Sequence, residues 1–387
     1  MSGRLHEILR FCDAESAWLR DVVESLVRLE SPSDAKIAVD RCGAELAERL
    51  TRIGVDVTPL RQSESGDHLR ARWLPRKTEN RDSGRRQILL LGHFDTVWPV
   101  GTLERMPLRE EEGRLHGPGI FDMKSGIAVA MLAIRALDEV GGVIPTISML
   151  WTADEEIGST TSRGVIEEAA RESRAVLVLE PSLPGGAAKT SRKGVGEFDL
   201  LVHGVSAHAG LDPGKGASAV HELARQILAI ETLHDVSRGI TVNVGVISGG
   251  SRPNVIADRA SAKIDVRVQT MQDAVRLEQA IRTLQPTRTS IRLEITGGVE
   301  RPPLERSTAV VRLYHQAREV AAALGRELGE GPAGGGSDGN FTAAVGVPTL
   351  DGLGPRGDGA HAAHEHVIIA DLPWRAALLA GLLASLD

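Results

Sequence analysis

Three short apolar runs, each ending in acidic or histidine residues, constrain this chain more than any other feature. QILLLG (87–92) leads into His93-Phe94-Asp95, TISMLWTA (146–153) into Asp154-Glu155-Glu156, and VLVL (176–179) into Glu180. A strand covered on both faces reads as a continuous apolar run, not as an alternation. Between and before these runs, helical apolar spacing occupies 16–30, 36–53, 124–140 and 160–173. A further strand is expected at 68–73. Strands alternating with helices predict an α/β layered domain with a mostly parallel sheet.

The pattern changes near Lys193. From there to Val299 the order is strand (195–203), helix (217–233), strands (239–248 and 259–269), helix (273–284) and strand (290–295). Here Ala262, Ile264, Val266 and Val268 alternate with Lys263, Asp265 and Arg267, so one face of this sheet is expected to be covered and the other not. Helical spacing resumes after Ser307. A chain of 387 residues exceeds one ordinary core. We therefore expect an α+β domain (193–299) inserted into a larger domain formed by 1–192 and 300–387.

Bulk properties exclude several function classes. A formal net charge of -7 with scattered basic residues argues against a nucleic-acid surface. The local exception, a basic loop from Arg76 to Arg86, reads as solvated. Cys12 and Cys42 lie in N-terminal helical stretches and have no metal-site or disulfide-framework spacing. The start carries no apolar leader, and the run 376–386 is too short to span a bilayer. A cytoplasmic protein without membrane contact is expected.

The chemistry gathers where the apolar runs end. Open α/β sheets build their sites beyond the carboxyl ends of their strands, where His93, Asp154 to Glu156 and Glu180 fall. Asp122 follows the turn GPGIF before a helix, and His361 lies in the glycine-rich GPRGDGAHAAHEH. Singly each has a structural explanation: a satisfied histidine, a helix N-cap for Asp122, a solvated acidic turn. Together, several carboxylates after buried strands would be costly without a counter-charge. Imidazole and carboxylate without cysteine suit zinc, with cobalt or manganese as substitutes. Two histidines, two glutamates and one bridging aspartate match the needs of a two-metal site. Glu155 and Glu156 are expected to diverge on an extended backbone, one toward metal and the other as general base. Asp95 is placed to accept the second ring N–H of His93.

HFDTVWP, GPGIFDMKSG, DEEIGS, LEPS, VSAHAG, RPNVIAD, GGGSD and GAHAAHE, in this order from about Gly66 to His366, resemble a zinc metallopeptidase family. It includes carboxypeptidase G (glutamate carboxypeptidase), aminoacylase, acetylornithine deacetylase and succinyl-diaminopimelate desuccinylase. The resemblance implies a phosphorylase/hydrolase-like layered catalytic domain and an inserted lid that forms a homodimer. It implies two zinc ions bridged by Asp122, with His93 and Glu180 completing one and Glu156 and His361 the other. His361 is preferred over His364 and His366 because Gly-Ala precedes it and Glu365 follows four residues later. Glu155 would be the general base, and Asp95 would orient His93. His208 would reach the partner's site and polarise the scissile carbonyl. Asn254 and Arg267 would bind the substrate's carboxylate, and Gly335, with Gly334 and Gly336, would let backbone approach substrate. A cis peptide between Asp122 and Met123 is also implied.

The reaction read from these residues is amide hydrolysis of a peptidyl or N-acyl amino acid with a free carboxylate, glutamate being the first candidate. The carboxypeptidase G branch is the nearest resemblance, carried by the TSRKG ending. Lys189 and Arg192 are candidate cations for the leaving group. Within the same chemistry stand an aminoacylase, an ornithine-type deacetylase and a dipeptidase. A non-catalytic binding protein on this fold has no use for Glu155 beside five ligands.

Overall fold

The computed structural model describes residues 2–75, 87–142 and 144–386. The basic loop read at 76–86 lies outside the described residues. The chain divides into two compact units. The first runs to Ser191 and resumes at Arg306–Ala333 and Ser337–Asp387; the second comprises Arg192–Glu305 and Gly334–Gly336.

In the first unit a six-stranded sheet has the order Asp56–Leu60, His68–Trp73, Ile147–Thr152, Gln87–His93, Ser173–Val178, Thr349–Leu350. The last four run parallel; the first two are antiparallel at one edge. The continuous apolar runs have the expected cause, burial on both faces. Ile88 and Leu90 enter one core with Ile8, Val23, Ile134 and Leu379. Their neighbours Leu89 and Leu91 enter another with Ile166, Ala170 and Phe341. Helices Ser125–Val140 and Leu372–Ser385 are buried over most of their circumference. Among the described residues no helix is long and apolar enough to cross a membrane.

Close approach at two glycines brings the functional segments together. A Cβ at Gly126, at the start of helix Ser125–Val140, would lie 2.1 Å from the carbonyl oxygen of Leu179. One at Gly92 would lie 2.4 Å from Cε of Met123. Only glycine lets the helix start approach the Leu179 carbonyl this closely, and Gly92 leaves room for the Met123 side chain.

Some elements differ from the sequence reading. The strand Asp56–Leu60 was not expected, because it is an exposed edge and carries polar residues and Pro59. A small four-stranded sheet pairs Gly357–Asp358, His366–Ile368, Arg114–His116 and Arg109–Glu111. Its strands are two or three residues long and come from distant segments, too short for periodicity to register.

The second unit is an antiparallel sheet in the order Thr241–Gly249, Arg259–Val268, Gly194–His203, Arg292–Arg301. The alternation holds: Ala262, Ile264, Val266 and Val268 are buried, and Lys263 is exposed. Helices Ala219–Glu231 and Met271–Arg282 contribute Leu223, Leu277 and Ile281 to the same core. Each is capped by a hydroxyl, Ser218 accepting from His221 N–H and Thr270 from Asp273 N–H. The edge strand Thr241–Gly249 is largely exposed.

Candidate metal centre

Within the first unit, the residues beyond the parallel strands converge on Asp122. His93 ends the strand Gln87–His93, Glu156 follows Ile147–Thr152, and Glu180 follows Ser173–Val178. Asp122 lies in the turn before helix Ser125–Val140, and its peptide bond to Met123 is cis. It is not an N-cap, since no side chain caps that helix. His93 Nε2 lies 3.3 Å from Asp122 Oδ1 and 3.3 Å from Glu180 Oε1. On the other side, His361 Nε2 lies 3.4 Å from Asp122 Oδ2 and 3.1 Å from Glu156 Oε2. The two oxygens of Asp122 thus face two separate groups, each with one further carboxylate and one imidazole, and each compact enough to hold a metal ion.

The electrostatics point the same way. Burial alone would lower the pKa of His93, yet Asp122, Asp95 and Glu180 raise it well above the ordinary histidine value. Asp122 and Glu156 push His361 up to about 10. Burial would raise the Asp122 carboxyl, but His361 and His93 bring it below the usual carboxylate range. His93 Nε2 and Asp122 Oδ1 are buried and lack hydrogen-bond partners among the described residues, despite their proximity. Buried polar atoms left unpaired beside acids fit a cation between them.

The carboxylates around this cluster have other work. Asp95 was expected to accept the His93 ring N–H, but the hydrogen bond at Nδ1 goes to the Asp95 backbone carbonyl at 3.1 Å. The carboxylate lies 3.4 Å away. It accepts instead from Ser33 Oγ (2.6 Å) and from the backbone N–H groups of Glu155 (3.3 Å) and Glu156 (3.2 Å). Glu155 and Glu156 lie on a short helical turn, Glu155–Ile157, not on extended backbone. Asp154 accepts from Thr161 and Ser162, which closes the turn after it. Asp338 accepts from Thr152 and Ser159. His68 Nδ1 accepts from Ala153 N–H, which leaves its other nitrogen to bond Thr161 Oγ1 at 3.0 Å.

Lys124 is buried and donates to the carbonyls of Leu26 (3.0 Å) and Leu29 (2.7 Å). It thereby caps the last turn of helix Ser16–Arg28. Glu365, which the sequence offered only as a marker for His361, has no exposed surface. Ser33 and His68 carried no sequence signal, and Lys124 stood only inside GPGIFDMKSG with no role assigned, since their partners are distant in the chain.

The remaining candidates are placed as follows. Lys189 Nζ is 3.9 Å from Glu180 Oε2. In the second unit, Arg192 is buried and donates to the carbonyls of Gly335 and Gly336, so it is a loop clamp, not a free cation. His208 is exposed, and its Nδ1 accepts from the N–H groups of Gly210 and Leu211 at 3.1 Å each. The Asn254 carbonyl accepts from Ala209 N–H, so His208 and Asn254 lie on adjoining segments. Arg267 is paired with Asp265 at 2.8 Å. A Cβ at Gly335 would meet nothing within 4 Å, so protein packing does not demand glycine there. His364 is exposed, and His366 pairs across the small sheet with His116.

Comparison with known proteins bears on all of this. The model of Peptidase family M20/M25/M40 matches residues 89–385. Carboxypeptidase G2 of Pseudomonas sp. (strain RS-16) is 29% identical over 375 residues, covering 94% of this chain and 88% of that enzyme. Succinyl-diaminopimelate desuccinylase of Pseudoalteromonas atlantica is 28% identical over 390 residues, covering 94% of this chain and 98% of that one. The crystal structure of aminopeptidase PepT from Bacillus cereus shares the fold, with a TM-score of 0.78 at 22% identity, covering 95% of this chain and 98% of that one. The chain belongs to peptidase family M20/M25/M40, the metal-dependent hydrolases of peptides or acyl-amino acids.

Proposed function

We propose that this protein uses a pair of zinc ions to release an amino acid with a free carboxylate, glutamate first, from a peptidyl or N-acyl conjugate. Asp122 would hold both ions, with His93 and Glu180 completing one and Glu156 and His361 the other; cobalt or manganese would substitute. The observation that carries this reading is the division of Asp122, one oxygen toward each histidine–glutamate pair. Bound there, the ions supply Lewis acidity that lowers the pKa of water and polarises a carbonyl.

The chain's own residues do the rest. Glu155 takes a proton from the attacking water and returns it to the leaving nitrogen. Asp95 fixes the 155–156 backbone through both of its oxygens, which orients Glu155 and Glu156 together. His208 donates to the scissile carbonyl oxygen as negative charge grows there. Its Nδ1 is occupied as an acceptor, so in the neutral ring the proton sits on Nε2, free to donate. Asn254, Arg267 and the backbone at Gly335 receive the substrate's carboxylate, Arg267 sharing its charge with Asp265.

His208 serves the partner's site in a homodimer. Leu228 (63% exposed) on helix Ala219–Glu231, with Val246 (58%) and Ile247 (64%) on the edge strand, supports an apolar interface for a second copy. A deacylase of an N-acyl diamino acid is the second reading, favoured by the nearly full-length match to the desuccinylase.

A panel of N-acyl amino acids and dipeptides, assayed with zinc-loaded protein, separates the two readings. Glu155→Gln should lower kcat by about 10²–10⁴-fold with metal content intact, and Glu156→Gln should weaken metal binding. The opposite pattern would exchange base and ligand.

A further inference from the structure

We propose that Glu365 is a positioning residue that holds the Asp122 turn and the His361 segment in one frame, and so sets the affinity of both metal sites. The inference rests on the metal-centre reading above. Each oxygen of this buried carboxylate receives two donors. Oε1 accepts from the N–H groups of Phe121 (2.9 Å) and Asp122 (3.1 Å). Oε2 accepts from Gly119 N–H (2.9 Å) and the Trp98 indole N–H (2.8 Å).

Three segments therefore meet on one side chain: the loop after His93 and Asp95, the turn carrying Asp122, and the segment carrying His361. The link from Glu365 back to His361 is short and tied. Glu365 N–H donates to Ala362 carbonyl at 2.9 Å, and Ala362 N–H to Gly359 carbonyl at 2.8 Å. His361 itself is held at a φ of +60°, a left-handed conformation uncommon outside glycine. Glu365 carbonyl also accepts from Gly117 N–H at 3.3 Å, which fixes the approach to the turn. A shift of Glu365 would thus displace Asp122, which faces both groups of candidate ligands, together with His361, which belongs to one.

The arrangement requires a carboxylate. A glutamine has one acceptor oxygen, so its amide N–H₂ would face either the Phe121–Asp122 pair of donors or the Gly119–Trp98 pair. Donor against donor in a buried site forces the turn to move. Loss of such an outer partner of a metal site commonly weakens metal binding by roughly 10–100-fold.

The test titrates zinc ions into chelator-treated wild-type protein, Glu365→Gln and Trp98→Phe in competition with a chromophoric chelator. Chelated samples are unfolded in parallel. The proposal expects both zinc affinities to fall in Glu365→Gln by roughly 10–100-fold. It expects a smaller fall in Trp98→Phe, and recovery of kcat as zinc is raised, with KM little changed. A purely structural role would lower the unfolding midpoint of the chelated protein but leave zinc affinity within about twofold of wild type, and that overturns the proposal. Should Glu365→Gln fail to fold, Trp98→Phe decides: weaker zinc binding supports the proposal, and unchanged binding overturns it. If wild-type protein itself binds no zinc, the metal-centre reading fails, a result distinct from either of these.

Discussion

In the first unit, Asp95, Asp154, Asp338 and Glu365 are buried, and each carboxylate receives at least two donors. In the second unit, His208 and Asn254 are exposed and Arg267 is half-buried; the His208 ring accepts from Gly210 and Leu211, and the Arg267 side chain pairs with Asp265 two residues away. The first arrangement belongs to a preorganised centre, where hydrogen bonds fix each functional group before substrate arrives. On the proposed function, the second belongs to groups whose work is with substrate or a second chain. Mutations in the two units should therefore fail in different ways: in the first, all but the general base Glu155 by losing metal or fold; in the second, by losing turnover alone.

The largest expected effect sharpens this contrast through complementation. His208→Ala and Glu155→Gln should each be nearly inactive. If His208 acts across a dimer, mixing the two after subunit exchange creates dimers with one intact site. Activity should then rise from near zero to about a quarter of wild type at full exchange, by random pairing of two-fold partners. No recovery despite proven mixed dimers would assign His208 to its own chain or to no catalytic role.

A smaller effect compares the two units in stability. Arg375 is fully buried and donates to the carbonyls of Gly354 (2.6 Å), Gly352 (2.6 Å) and Gly186 (2.9 Å). Arg375→Leu leaves three carbonyls unpaired and should cost about 3–5 kcal/mol in urea unfolding. In the second unit, Lys263 bridges Glu197 (3.1 Å) and Asp199 (2.9 Å) on an exposed face. Lys263→Ala should leave the unfolding midpoint almost unchanged, because solvent screens such pairs. Equal effects at the two positions would break the comparison.

The smallest effect is a pH dependence in the first unit. Burial alone would raise the Asp67 carboxyl, but the Gln62 N–H, Lys36 and Arg61 hold it down to about 2, from an ordinary 3.8. A depressed folded value adds stability above the unfolded pKa, and this is lost as pH falls through the folded one. Wild type should exceed Asp67→Asn in stability at pH 5, and the gap should close between about pH 4 and pH 2. A gap that persists below pH 2 would assign the effect to packing instead.

How much of this was legible in the sequence follows from range. The runs QILLLG, TISMLW and VLVL declared a doubly covered sheet because burial on both faces writes itself into consecutive residues. His93, Glu156 and Glu180 were legible because they follow those runs directly. Asp56–Leu60 was hidden because a polar edge strand lacks the alternation that identifies a half-buried one. The turn at Glu155–Ile157 was misread as extended because a single turn has no periodicity. Glu365, Ser33 and Lys124 escaped for another reason. Their partners Phe121, Asp95 and Leu29 are far along the chain, and only the folded backbone brings them near.

The central claim, that Asp122 serves two metal ions at once, is tested most directly by counting them. Fully active wild-type protein should contain about two divalent ions per chain by elemental analysis. Glu180→Gln and Glu156→Gln should each retain about one, and Asp122→Asn should retain neither. One ion or fewer in fully active wild-type protein, or an Asp122→Asn variant that keeps one tightly bound ion, would contradict the account.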